Sequence, residues 1–400
     1  MSYELSADVI NKSIKNKAVA VENNLIVKDF GGLFNIKYNK EKVNGNNIKT
    51  LGLYRSLIVD NSGNIKCYSP PKSLDYEYFD QDVTKCYIEE FVEGTMINIF
   101  FNTVIDDWDL TTRSNIGAKC IFNLSTKKTF RYMVLSAMNE MNIEFSDFDK
   151  NFCYSFVLQH PENKMVIPVK EPKLVLVDIF KCDKFKVFPI SRKMFHTQTH
   201  LFIKNENIIK PIYYPRIMPD SLSGVLESMI KDKDYTVMGY YVHHENYERT
   251  KIRNPNYEHV RHLKGNSPKI QYQYYNLRQL NKVREFLKFF PELKEEFSVL
   301  RRDLHKYTTN LYRNYCDCYI YKTKPLKEYP YEYKTHMFHL HNIYLNELKN
   351  EKKHVNFTVV KNYVNSMEPA RLMHVINFPL KRQNYEEKKV EIENNLQIKH

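Results

Sequence analysis

At 400 residues the chain is long enough for two domains of ordinary size, and 60 Lys+Arg against 47 Asp+Glu leave a net charge of +13. Hydrophobic residues at 42% and aromatics at 14% supply a substantial core and exclude global disorder. Only 10 residues are glycine, far below the usual ~7%, which argues against collagen-like segments, glycine linkers and a glycine-lined dinucleotide loop. The excess of cations points to a polyanionic partner, whether nucleic acid, nucleotide or an anionic membrane face.

The chain opens MSYELSADVINKSIKNKAVAVENN, without the basic-then-apolar order of a signal peptide, and no run approaches the roughly 18 apolar residues of a membrane span. The seven cysteines (Cys67, Cys86, Cys120, Cys153, Cys182, Cys316 and Cys318) are odd in number and contain no CxxC pair. Reduced thiols packed as small hydrophobes, in an intracellular protein without a membrane segment, are the expectation.

From about Tyr54 to Val242 short β segments dominate: 54–59, 96–101, 154–159, 174–180 and 235–242. The turn Asn61-Ser-Gly-Asn64 joins the first of these to 65–68 as a predicted hairpin. Helical patches are predicted at 129–141 and 222–230. After Gly265-Asn-Ser-Pro268 the period becomes helical. One apolar stripe runs from Leu277 to Phe290 and stops at Pro291. A second joins Leu293, Phe297, Leu300, Leu304, Tyr307 and Leu311 at alternating spacings of four and three. Helices are also predicted over 335–349 and 358–378, with a charged, frayed tail from Lys381. The expected architecture is α+β: residues 1–268 of antiparallel sheets with helices, an all-α domain over 269–380, and the tail 381–400.

Each chemical signal is weak when taken alone. Phe91-Val-Glu-Gly-Thr95 reads as a strand entered through a glycine turn, and Arg55 and Lys72 read as ordinary solvated charges. Lys251-Ile-Arg253 projects two basic heads from one strand face, enough to grip a phosphate chain or to stay in water. His196 and His200 have helical ligand spacing, but no Glu follows His196; His336, His339 and His341 read more simply as polar packing than as a zinc site. His243, His244, His259 and His262 flank the basic strand, as phosphate contacts or exposed groups. The mixture Lys269–Tyr275 followed by Arg278, Lys282, Arg284 and Lys288 suits base stacking with phosphate contact, or a tyrosine-rich seam.

The order of these pieces is more specific than any one of them. An arginine-led strand, Ser-Pro-Pro-Lys, acidic-Gly-Thr, Thr-Arg-Ser, His-Pro-Glu-Asn-Lys, Gly-Tyr-Tyr-Val and Lys-Ile-Arg-Asn-Pro follow one another over about residues 50–265. This succession resembles the RNA ligases of the bacteriophage type-1 family, in the covalent nucleotidyltransferase superfamily, with a divergent member of viral origin as the expectation. The resemblance implies a nucleotidyltransferase domain followed by a helical domain. It identifies Arg55, Lys72, Arg113, Lys251 and Arg253 with phosphate and nucleotide binding. In the family's KxDG motif, Gly94 matches the glycine and Glu93 the acid, which sets Phe91 where the nucleophilic lysine belongs. Gln159 and Met238 similarly stand where the resemblance expects carboxylates. Covalent nucleotidyl transfer needs an amine and metal-holding carboxylates, so loss of those with retention of the cations implies a pseudoenzyme. The expectation is a protein that binds RNA or nucleotide in a basic cleft without a lysyl-nucleotide intermediate, with no catalytic residue, metal or cofactor assigned and with room for a protein partner. The alternatives are an active ATP- and Mg-dependent RNA ligase whose nucleophile has moved, to Lys72 or Lys251, and a scaffold component of a large DNA virus.

Overall fold

The computed structural model describes residues 2–121, 127–214, 233–267 and 269–397, with Gly224, Glu227, Ile230 and Lys231 between them. Fourteen strands are seen among these residues. In chain order they are β1 (Tyr3–Glu4), β2 (Leu25–Asp29), β3 (Leu33–Tyr38), β4 (Leu57–Asp60), β5 (Ile65–Tyr68), β6 (Cys86–Glu90) and β7 (Thr95–Asn102). The others are β8 (Asp107–Thr111), β9 (Phe152–Gln159), β10 (Lys173–Asp183), β11 (Lys186–Pro189), β12 (Tyr213–Tyr214), β13 (Gly239–His244) and β14 (Arg249–Arg253). They form three sheets, in the orders β1-β11-β10-β9-β7-β8, β12-β6-β13-β14 and β2-β3-β4-β5. Every strand pairing within them is antiparallel. The chain divides into two compact units, Met1–His262 and Leu263–His400.

Period-2 alternation explains how the six-stranded sheet is buried on both faces. Ile97 and Ile99 on β7, with Tyr154, Phe156 and Leu158 on β9, enter one core with the helix α1 (Phe130–Glu140). The intervening Phe100 and Cys153 enter a second core with the sheet β2–β5. Asn98 shares that second face and is fully buried. It donates to Ser69 Oγ at 2.6 Å and accepts from Ser155 Oγ at 2.8 Å, so its burial leaves no amide group stranded.

Several sequence expectations shift in register. The first hairpin forms, but its leading strand begins at Leu57, and the pairing is irregular between Ile58 and Val59. The strand expected from Tyr235 begins at Gly239, because Asp234 accepts the amide of Thr236 and holds a turn there. The helical patch at 222–230 lies largely outside the described residues. Strands β2 and β3, with the short helices around them, were not read from the sequence.

The second unit is helical: α2 (Ile270–Gln279), α3 (Val283–Phe289), α4 (Lys294–Tyr315), α5 (Tyr331–Ile343), α6 (Phe357–Ser366) and α7 (Pro369–Gln397). The apolar stripe at 277–290 breaks into two helices, with Asn281 between them at φ +57°, a left-handed conformation that ends α2. As far as Gln397 the tail continues α7 rather than fraying. Pairs one turn apart, Arg382–Glu386 and Gln383–Glu387, support it. Among the described residues no helix is long and apolar enough to cross a membrane.

Candidate functional site

The geometry of the site begins with β14. Arg249, Lys251 and Arg253 occupy alternate positions, so all three side chains leave one face of the sheet. Across the ladder, His243 lies opposite Arg249, Tyr241 opposite Lys251 and Gly239 opposite Arg253. The next strand over, β6, sets Tyr87 opposite His243 and Glu89 opposite Tyr241. Phe91 continues that row, its amide donating to the carbonyl of Gly239 at 2.9 Å. Gly239 has φ +140°, and a Cβ there would strike the carbonyl of Ile252. With no side chain at 239, the Arg253 guanidinium sits 5.6 Å from the centre of the Phe91 ring.

Other elements bring further cations to this face. Lys72 is placed by its amide, which donates to the carbonyl of Gly52 at 3.0 Å. Arg113, just past β8, donates from Nη2 to the carbonyl of Tyr38 and covers the Tyr38 ring at 4.7 Å. Arg55 precedes β4. These side chains surround a cavity of about 370 Å³, lined by Arg55, Lys72, Arg113, Lys251 and Arg253 together with Lys40, Arg249 and Arg261. That volume falls within the range of small-ligand sites. Its aromatic lining is Tyr38, Phe91, Tyr241 and Tyr257, and the Phe91 and Tyr241 ring centres are 4.4 Å apart at 53°.

The charges here are crowded and incompletely neutralised. Burial pushes the Lys251 ammonium down to about 8, helped by Arg253, Arg55, Lys72 and Arg249. Burial likewise lowers Arg55, with Arg249 and Arg113 adding repulsion. Arg253 is paired with Glu258 at 2.5 Å, whereas no carboxylate among the described residues lies within ion-pair distance of Arg55, Lys72 or Lys251. Confining like charges in a partly desolvated concavity is unfavourable until an anion enters, so the arrangement favours a polyanionic ligand.

The carboxylates that border the cavity face other tasks. Glu93 accepts from the amides of Val166 and Ile167, both at 2.8 Å, and from the Tyr257 hydroxyl at 2.9 Å. Gln159 donates to the backbone carbonyl of Glu93 at 2.9 Å and does not line the cavity. Gly94 has φ +153°, and a Cβ there would strike the Leu158 carbonyl. The Phe91–Gly94 segment is therefore a tightly packed turn. Glu89 is buried and lies 2.8 Å from His196 Nε2, 3.3 Å from His243 Nε2 and 3.7 Å from Arg192 Nε. Burial opposes its charge, but Arg192, His243 and His196 outweigh that and hold it well below the usual carboxylate range. Glu93 and Glu89 are thus engaged internally and Gln159 and Met238 are neutral, while Glu90, whose Oε2 accepts from the Ile212 amide at 3.4 Å, is a further carboxylate on the cavity lining.

The histidines follow their sequence readings unevenly: His336 and His341 are packed as expected, whereas His243 and His244 are not exposed. His196 bonds Glu89 while His200 lies in a separate turn, exposed. His243 and His244 are buried rather than facing solvent. His336 bonds the Tyr363 hydroxyl at 2.7 Å, and His341 stacks on Tyr319 with ring centres 4.0 Å apart. Sequence reasoning missed Arg249 and Tyr241 as cavity residues. Extending the strand parity of Lys251 and Arg253 back by two residues points to Arg249. The Glu89 cluster left no such signal, because its members come from three separated segments.

No protein-family model matches the sequence, and no curated protein does. Solved structures that align with it include ligases. One is a protein assigned as an ATP-dependent DNA ligase from Aquifex aeolicus: 15% identity, TM-score 0.43, over 78% of this chain and 81% of that one. An archaeal ATP-dependent RNA ligase aligns at 11% identity and TM-score 0.45, over 74% of each chain. A mutant form of the RNA ligase of Naegleria gruberi, with ATP and Mn, aligns at 9% identity and TM-score 0.33, over 45% of this chain and 52% of that one.

Proposed function

We propose that the chain binds RNA or a nucleoside polyphosphate in the cavity over β6, β13 and β14, and forms no lysyl-nucleotide bond there. One observation carries this reading: the cavity gathers eight basic side chains around the Phe91–Tyr241 pair, and Phe91 is the residue that the motif resemblance aligns with the nucleophilic lysine. Arg55, Lys72, Lys251 and Arg253 supply charge and forked donors suited to phosphate oxygens. Phe91 and Tyr241 supply an aromatic surface suited to a base. Neither contribution requires a covalent step.

A second reading, a ligase with a relocated nucleophile, has one observation in its favour. The Lys251 amine, held at about 8, is more available as a free base than an exposed lysine. Calorimetric titration of the protein with ATP, and separately with a short single-stranded RNA, tests the binding reading. Lys251→Met and Arg55→Gln are each expected to weaken the favoured ligand about tenfold, as loss of one charge-assisted contact. Unchanged affinity in both variants would remove the cavity as the binding site.

A further inference from the structure

The helical unit has a concave surface of its own, a groove of about 910 Å³ lined from α2, α3, α4 and α6. Four of its basic side chains come from α4. Arg301 and His305 are four residues apart, as are Arg302 and Lys306, so each pair lies one above the other, separated by about 6 Å along the helix. Arg278 from α2 and Lys361 from α6 border the same groove, against the single acidic side chain of Glu295. Among the described residues no carboxylate lies within ion-pair distance of Arg278, Arg301, Arg302, Lys306 or Lys361. A solvated helix face ordinarily carries both signs along it; here one sign is concentrated in a concavity.

Arg278 distinguishes the groove from a merely basic surface. It is half-buried, and burial lowers its guanidinium, with Tyr274 and Tyr275 partly countering. Tyr274 is fixed against Phe297, ring centres 5.0 Å apart, so it holds its position in the groove wall. A partly desolvated arginine without an anion is a net cost that a bound anion would offset. On the opposite wall Phe357, half-buried, has its ring 6.0 Å from that of His305 and can offer a face to a base. Three arginines suit the planar, bidentate recognition of phosphate. The stacked pairs on α4 suit a ligand whose charges repeat along its length.

We propose that this groove is a second anion site that holds the phosphate backbone of a single-stranded nucleic acid. It rests on residues of the helical unit alone, independently of what the strand cavity binds. The test uses the full chain and fluorescein-labelled RNA and DNA strands of about 15 nucleotides, near a single-strand site size. Binding is followed by anisotropy across a salt series. The triple variant R301A/R302A/K306A removes three exposed side chains and should leave thermal melting unchanged. Its affinity is expected to fall at least about tenfold, and the slope of log K against log salt to become shallower by about 2, at about 0.7 per single-strand phosphate contact. Arg278→Gln is expected to weaken binding in the same direction. A loss seen with RNA alone, or with both strands, supports the site and identifies the sugar it accepts. An unchanged affinity and slope in the triple variant would overturn the proposal. So would displacement of the strand by polyglutamate of matched charge as readily as by unlabelled strand, which would make the groove a surface for acidic polypeptides.

Discussion

His243 shows how one buried side chain links the candidate site to stability. It lies between Tyr87 and Tyr241, opposite Arg249, with Nε2 toward Glu89. Burial pushes its imidazole down to about 4, and Arg192 and Arg249 reinforce that against the pull of Glu89. The folded state therefore binds this proton less readily than the unfolded chain, whose histidine titrates near ~6.5. Stability is present in full above that value and falls as pH drops from about 6.5 towards 4. Between pH 7 and 5 the loss from His243 should be about 2 kcal/mol. Glu89 has the same sign at lower pH: its depressed folded value contributes stability above about 4.3 and loses it on further acidification. Urea midpoints at pH 7 and 5 check this, and His243→Gln should flatten the decline. A wild-type midpoint that does not fall would contradict the assignment. At this scale the sequence was uneven in what it disclosed. Arg55, Lys72, Arg113, Lys251 and Arg253 were legible through the order of motifs around them. Glu93 was legible as a position, but its clasp on Val166, Ile167 and Tyr257 depends on chain segments far apart in sequence.

Among the elements, β13 and β14 form the part of the cavity that local rules explain best. Alternation aligns three cations, and the missing side chain at Gly239 lets Arg253 approach Phe91. Gly239→Ala meets both a positive φ and a backbone carbonyl, so it should destabilise the strand unit by roughly 1–3 kcal/mol. It should also weaken ligand binding by disturbing Phe91. Denaturant titration alongside the calorimetry would show both effects, and a variant as stable as the wild type would show that the close approach to Ile252 is not constraining. The long amphipathic helix α4 was readable because its apolar spacing lies within one continuous segment. The break before α3 was not, because Asn281 adopts a left-handed conformation that apolar periodicity does not register. The tail's helical continuation was missed for a related reason: with few apolar residues, its support comes from pairs such as Arg382–Glu386.

Taken whole, the molecule is an α+β strand unit and a helical unit, each with a basic concavity formed from its own residues. The class was readable from the change of period after Gly265. The three-sheet arrangement was not, since antiparallel pairing joins segments as distant as β1 and β11 and no local pattern specifies the partner. Eight lysines and arginines line the strand cavity and five the helical groove, and concave surfaces focus the field of such charges. The proposed function is therefore phosphate binding without covalent chemistry. Intact-protein mass, recorded after incubation with each nucleoside triphosphate and Mg²⁺ or Mn²⁺, tests that claim most directly. The expected result is an unchanged mass under conditions where calorimetry detects binding. A stable nucleotidyl increment that maps to Lys251, Lys72 or any other lysine would contradict it and establish a ligase with a relocated nucleophile.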